Sequence, residues 1–152
     1  MGRPRGFDEE VVTAAAAELF AGRAYDGVSV DDLVQQLGVH RNSLYKTFGS
    51  KRGLYLAALR WHIAHRLPAL TEQLAAGTGV ADDHTLDLLL LAAVERAPSD
   101  VEVAALVAKA WQALEQALPR VPAADRPRAN GVDALLGERL RARAAAAPAD
   151  PS

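Results

Sequence analysis

His40, Arg41, Asn42, Ser43, Tyr45 and Lys46 concentrate hydrogen-bonding chemistry in one short stretch of the chain. An arginine can fork onto guanine O6 and N7, an asparagine can pair with adenine, and a histidine can serve a base or a phosphate. Tyr45 and Lys46, one helical turn further on, suit backbone phosphates, which position a reading element without reading sequence. Ser29 precedes a helix start, where a hydroxyl and free amides face an anion. Lys51 and Arg52 occupy the first turn of another helix, opposing its dipole at about 0.3–1 kcal/mol each. A phosphate bound there would reverse the penalty, so both are candidate anion contacts. Arg3 and Arg5, ahead of the first helix, form a basic arm of the kind that lies in a minor groove.

Other chemistries find less support. With no cysteine there is no disulfide, no thiolate metal site and no Cys nucleophile. His62-x-x-His65 has helical spacing for chelation, but no Asp or Glu lies near in sequence to complete a site. Gly77-Thr78-Gly79 follows no strand and makes no phosphate loop. The expectation is no catalytic residue, no metal, no cofactor and no enzymatic activity.

The elements that must hold these residues read as helices throughout. Val12, Ala15, Ala16, Leu19 and Phe20 line one side of a helix over residues 8–22, with Asp8 as N-cap and Phe7 placed to staple onto Val12. Ser29 and Asp32 form a capping box for a second, short helix with Leu33, Val34 and Leu37 inward. Gly38 stops it. A third helix starts near residue 40 or 41 with Leu44 and Phe48 inward. A fourth, capped by Ser50, is kinked or ended by Pro68. Beyond it three more are expected. Residues 83–97 are apolar nearly all round and should be buried; a box at Ser99 to Glu102 opens a helix to about 118; residues 132–146 close the set. The inward positions are Val103, Leu106, Val107, Ala110 and Leu114 in the second, and Leu135, Leu136 and Leu140 in the third.

The 152-residue chain is 50% hydrophobic and 24% charged, which suits one domain of ordinary size and rules out wholesale disorder. Its net charge of −2 would argue against a polyanionic partner. The distribution argues otherwise: residues 33–71 contain no carboxylate, yet hold Arg41, Lys46, Lys51, Arg52, Arg60 and Arg66. Such a stretch suits a surface that approaches phosphates. The longest apolar run, at 88–94, is far short of a membrane span, and the N-terminus lacks the apolar core of a signal peptide. No membrane association is expected, and the cytoplasm is the default location.

Residues 3–59 resemble the DNA-binding domain of the tetracycline-repressor (TetR) family of bacterial transcription regulators. The resemblance rests on Gly-Arg-Pro-Arg at the start, Ala-Ala-x-Glu-Leu-Phe ending at Phe20, the run from Tyr25 to Leu33, and Ser-Leu-Tyr-Lys-Thr-Phe-Gly-Ser-Lys from Ser43 to Lys51. It implies an all-α fold: an N-terminal three-helix helix-turn-helix domain (residues 1–50), a shortened helical core for effector binding and dimerisation (51–147), and a disordered tail (148–152). It further implies a homodimer that puts helix three into the major groove of a palindromic double-stranded operator. Ser29, Tyr45 and Lys51 match positions that hold phosphate, and a small-molecule effector would release a repressor from its site. Trp61, His65, Leu90 and Trp111 are candidates to line a pocket for a small apolar effector. Two departures stand out. Ala24 replaces a usual Gly, at about 1 kcal/mol if the backbone there needs positive φ, and Arg52 replaces a usual Glu, adding to the basic surface. The abbreviated core implies weaker dimerisation than is usual for the fold. The alternative is a helical protein-interaction module without ligand control.

Overall fold

Asp8 opens helix α1 (Glu9–Gly22) by accepting from the amides of Glu10 (3.0 Å) and Val11 (3.3 Å), with Glu9 and Glu10 at the positive end of its dipole. The computed structural model describes residues 7–77, 84–118 and 131–146, and every regular element among them is helical. The buried positions of α1 are Val12, Thr13, Ala16, Ala17 and Phe20, so Ala15 points to solvent and Leu19 is only half-buried, against expectation. The stripe is rotated because α1 packs mainly against two later helices, Lys51–His65 and Thr85–Leu91, rather than one. Thr13 tolerates burial because its hydroxyl donates to the Glu9 carbonyl at 2.7 Å. Phe7 stacks on Phe48 (centroids 6.4 Å apart), tying the start of α1 to the end of the third helix.

Helices α2 (Val30–Leu37) and α3 (Arg41–Phe48) meet across Gly38, whose φ of 65° is left-handed and open to glycine without strain. Helix α4 (Lys51–His65), capped by Ser50, runs from this head into the rest of the molecule. Pro68 does more than end it. After a break at Arg66 a separate helix, α5 (Leu67–Ala75), begins with Pro68 in its first turn, where its missing N–H costs nothing. Four helices therefore follow α4 among the described residues, not the expected three.

The expected single helix over 83–97 is α-helical at α6 (Thr85–Leu91) and continues as a π-helical turn over Ala92–Arg96. The Ala97 amide bonds to the Ala92 carbonyl at 2.9 Å, five residues back. Leu86, Leu88, Leu89 and Leu90 are buried as expected, but Val94 is 69% exposed, because the turn swings Glu95 and Arg96 toward the head instead. Helix α7 (Val101–Ala117) is capped by Asp100 rather than Ser99, and buries Val103, Val107, Ala110 and Leu114, with Leu106 half-buried.

Helix α8 (Val132–Ala145) occupies the expected span, but its buried residues are Val132 and Arg139; Leu140 is 47% exposed and Leu135 and Leu136 are half-buried. It is docked by charge as much as by apolar contact. Arg139 donates to both carboxylate oxygens of buried Asp87 on α6 (2.7 and 2.8 Å), and Arg143 adds a contact at 3.2 Å. Burial pushes the Asp87 carboxyl up, but the bonds from Arg139 and His84 outweigh it and hold the group below its ordinary range. Ala24 adopts φ −54°, so the departure from Gly carries no backbone strain.

Candidate nucleic-acid interface

The head is built from α1, α2 and α3, with α4 beneath α3. Phe20, Val28, Leu33, Val39, Leu44 and Leu54 are buried together in the core, which fixes the angle at which α3 is presented. Leu44 is the anchor of α3; Phe48 is half-buried. The opposite side of the same helix leaves Arg41, Asn42, Tyr45 and Lys46 exposed, with His40 exposed at the N-cap and Ser43 half-buried. The hydrophobic period thus turns the hydrogen-bonding side chains onto one convex face, as the spacing predicts.

Several neighbouring groups have internal partners. The Ser29 hydroxyl donates to Asp32 Oδ2 (2.7 Å) and accepts from the Asp32 amide (3.0 Å), while the Ser29 amide donates to the same carboxylate (2.8 Å). The bond from the Ser29 amide, with that from its hydroxyl, holds the Asp32 carboxyl below its usual range. The capping box is complete, and the hydroxyl proton is already committed to it. Lys51 Nζ donates to the Tyr25 carbonyl at 2.6 Å and sits 4.0 Å from the centre of the Tyr25 ring. Partial burial pulls its pKa down.

Arg52 does not extend a basic surface. Its guanidinium grips Asp100 through two bonds (2.7 and 3.0 Å) and reaches Glu102 at 3.1 Å, both at the start of α7. The unfavourable pair of cations at the start of α4 is thus accounted for by a carbonyl and two carboxylates. The same holds for most of the acid-free stretch: Arg60 pairs with Glu102 (3.2 Å), Arg66 with Glu18 (3.3 Å) and Arg41 with Asp31. Among the described residues Lys46 makes no ion pair, which leaves its charge available on the α3 face. A linear absence of acids does not make a cationic surface when other helices supply the carboxylates.

Sequence reasoning missed Tyr25. Its amide donates to Glu95 (3.1 Å), its carbonyl accepts from Lys51, and its ring lies beneath both Lys51 and, at 4.3 Å, Arg96. The residue joins the head to the π-helical turn of the core. Gly53 was missed as well: a Cβ on it would lie 1.9 Å from the Phe48 carbonyl oxygen. Only the absence of a side chain lets α3 and α4 approach so closely. Arg3 and Arg5 lie outside the described residues, as do residues 78–83 and the expected tail at 148–152.

The four candidate pocket residues are dispersed. Trp61 and His65 stack on each other (4.8 Å), His65 being exposed; Leu90 is in the core, and Trp111 is half-buried. A groove of about 400 Å³ opens instead between α4, α5 and α7, lined by Ile63, Leu67, Pro68, Leu106 and Ala113 among others, with Arg60 and Lys109 at its margin; none of the four candidates lines it. His62 and His65 do not converge. His62 is buried with Nε2 on the Thr85 carbonyl (2.7 Å), while His65 Nδ1 meets the Trp61 carbonyl (2.9 Å). Among the described residues no cluster of His, Asp or Glu is placed to hold a metal, and no helix is long and apolar enough to cross a membrane.

Fold and head together define the class: an all-helical protein that presents a helix-turn-helix at its N-terminal end. Residues 12–58 match the family model described as bacterial regulatory proteins, tetR family. It is 39% identical over 82 residues to the uncharacterized HTH-type transcriptional regulator YezE of Bacillus subtilis, a match covering 54% of this chain and 42% of that protein. It is 42% identical over 62 residues to the HTH-type transcriptional repressor BdcR of Escherichia coli, covering 41% of this chain and 32% of BdcR. The matches thus span less than half the length of these relatives. A solved structure of the TetR family transcriptional regulator CifR, a cysteine mutant complexed with 26bp double-strand operator DNA, shares the fold. Its TM-score is 0.54 at 22% identity, over 93% of this chain and 73% of that one.

Proposed function

We propose that this protein is a sequence-specific DNA-binding transcription regulator that lays α3 in the major groove of double-stranded DNA. The observation that carries the reading is the exposed face of His40, Arg41, Asn42, Tyr45 and Lys46 on a helix whose other face is locked into a tetR-type head. Arg41 and Asn42 read base edges; Tyr45 and Lys46 hold phosphates. Ser29 contributes chiefly by capping α2, and Lys51 by fixing Tyr25, so both act on DNA through the shape of the head. Arg3 and Arg5 extend the contact into the minor groove. Residues 1–50 are the reading head, and 51–147 form the core that dimerises.

Two copies bind a palindromic operator whose half-site spacing is set by the dimer. The protein acts in the cytoplasm as a repressor, and an apolar effector releases it. The groove between α4, α5 and α7 offers such a molecule more room than the dispersed set of Trp61, His65, Leu90 and Trp111. It has no catalytic role.

Selection of bound sequences from a random DNA pool tests the reading. The expected product is an inverted repeat whose affinity falls steeply with salt. Absence of enrichment, or of binding at low salt, would show instead a helical interaction module.

A further inference from the structure

Two adjacent acids at the start of α2 do different work. Asp32 is consumed by the capping box with Ser29. Asp31 takes no part in that box; its carboxylate reaches across the turn to Nη2 of Arg41, the first residue of α3. Both side chains remain open to solvent, with Arg41 50% and Asp31 83% exposed. An exposed carboxylate beside a helix that must approach phosphates is a cost in affinity. An exposed pair contributes little to folding stability, so stability does not account for the contact.

We propose that Asp31 is a specificity-determining residue: it holds the Arg41 guanidinium in a base-reading pose and bars it from the neighbouring phosphates. This rests on the reading of Arg41 as a base contact given above. A guanidinium has five N–H donors, and a fork onto guanine uses two of them. One proton of Nη2 given to Asp31 leaves the other, with one on Nη1, to face O6 and N7. The pair also narrows the rotamers open to a long side chain before DNA arrives, which lowers the ordering cost of the correct complex. Against a phosphate the same carboxylate repels, so the wrong contact is penalised. The two effects act together: Asp31 gives up general affinity and gains discrimination.

The test uses the full-length protein as wild type, Asp31→Asn, Asp31→Ala, Arg41→Ala and the Asp31→Asn/Arg41→Ala double variant. Each is titrated with the selected operator and with random duplex over a series of salt concentrations, with helical content checked by circular dichroism. Asp31→Asn keeps the shape and removes the charge. The expected result is a roughly three- to tenfold fall in the ratio of operator to random affinity, with random-DNA affinity raised. The salt slope on random DNA should steepen by about one phosphate contact. In the Arg41→Ala background Asp31→Asn should leave the ratio unchanged. An unaltered ratio in both Asp31 variants overturns the proposal, as does an equal loss with Arg41 already removed. If Arg41→Ala itself keeps the wild-type ratio, the base-reading assignment of Arg41 fails and Asp31 falls with it. If wild type binds no duplex, it is the regulator reading that fails.

Discussion

The backbone amide of Tyr25 donates to the Glu95 carboxylate at 3.1 Å, joining residues 70 positions apart. One belongs to the linker between α1 and α2; the other is delivered by the π-helical turn that follows α6. Tyr25 is therefore held from several directions, since Lys51 and Arg96 also close on it. An ordinary α-helical continuation of α6 would rotate Glu95 away by most of a residue's turn. The π-helical turn thus supplies one of the contacts between core and head.

Removing that acceptor should be measurable. Glu95→Ala is expected to destabilise the protein by about 1–2 kcal/mol, because a partly buried amide loses a charged partner. Hydrogen exchange at the Tyr25 amide should accelerate at the same time, and Glu95→Gln should recover most of both effects. Identical urea midpoints for wild type and Glu95→Ala would show that the bond contributes nothing.

The Arg52 bridge gives a pH signature. Hydrogen bonds from Arg52, reinforced by those from the Val103 and Glu102 amides, hold the Asp100 carboxyl at about 2 against an ordinary 3.8. A depressed folded-state pKa stabilises the native form above the ordinary value, and the contribution disappears as pH falls through the folded value. The stability difference between wild type and Asp100→Asn should therefore be full at pH 5 to 7. It should shrink between about pH 4 and pH 2. Thermal melts across that range check it; a gap that stays constant to pH 2 would contradict the assignment.

The pair of Asp87 and Arg139 is a different kind of ion pair, because both side chains are only 8% exposed. Breaking it leaves buried Asp87 with only Arg143 and His84 beside it, so Arg139→Met should cost up to about 3–5 kcal/mol. The double change Asp87→Leu/Arg139→Met removes both charges and should recover much of the loss. Limited proteolysis would show α8 released in the single variant and protected in the double. Equal susceptibility in the two would mean that α8 is docked by Val132 and its apolar neighbours alone.

The head was legible in the sequence and the core was less so, for physical reasons. Capping at Asp8 and Ser29, the stop at Gly38 and the polar face of α3 are local signals, set by residues within a few positions of one another. The burial of Ala17 in place of Ala15 is not local: two alanines are equivalent until α4 and α6 choose a side. The charge pattern misled for the same reason. Asp31, Glu18, Asp100 and Glu102 lie outside the acid-free stretch yet fold onto its arginines. Arg139 carried no sign of burial, since its partner lies 52 positions away.

Gly53 sharpens the distinction between a glycine that is needed and one that is tolerated. At Gly53 an added Cβ would collide with the Phe48 carbonyl oxygen, a backbone atom that cannot swing aside, at the junction that sets α3 against α4. At Gly22, near the end of α1, the same Cβ would meet nothing within 4 Å. Gly53→Ala should therefore destabilise by about 1–3 kcal/mol through forced displacement of the helix start. Gly22→Ala should stabilise by about 0.5–1 kcal/mol, as expected for alanine over glycine in a helix. Because the displaced element adjoins α3, the proposed reading helix, Gly53→Ala should also weaken operator binding well beyond its fraction unfolded, and Gly22→Ala should leave binding intact. Urea denaturation paired with operator titration separates the two effects. Equal and opposite stability changes with unaltered binding in both variants would show that α3 keeps its pose however α4 begins.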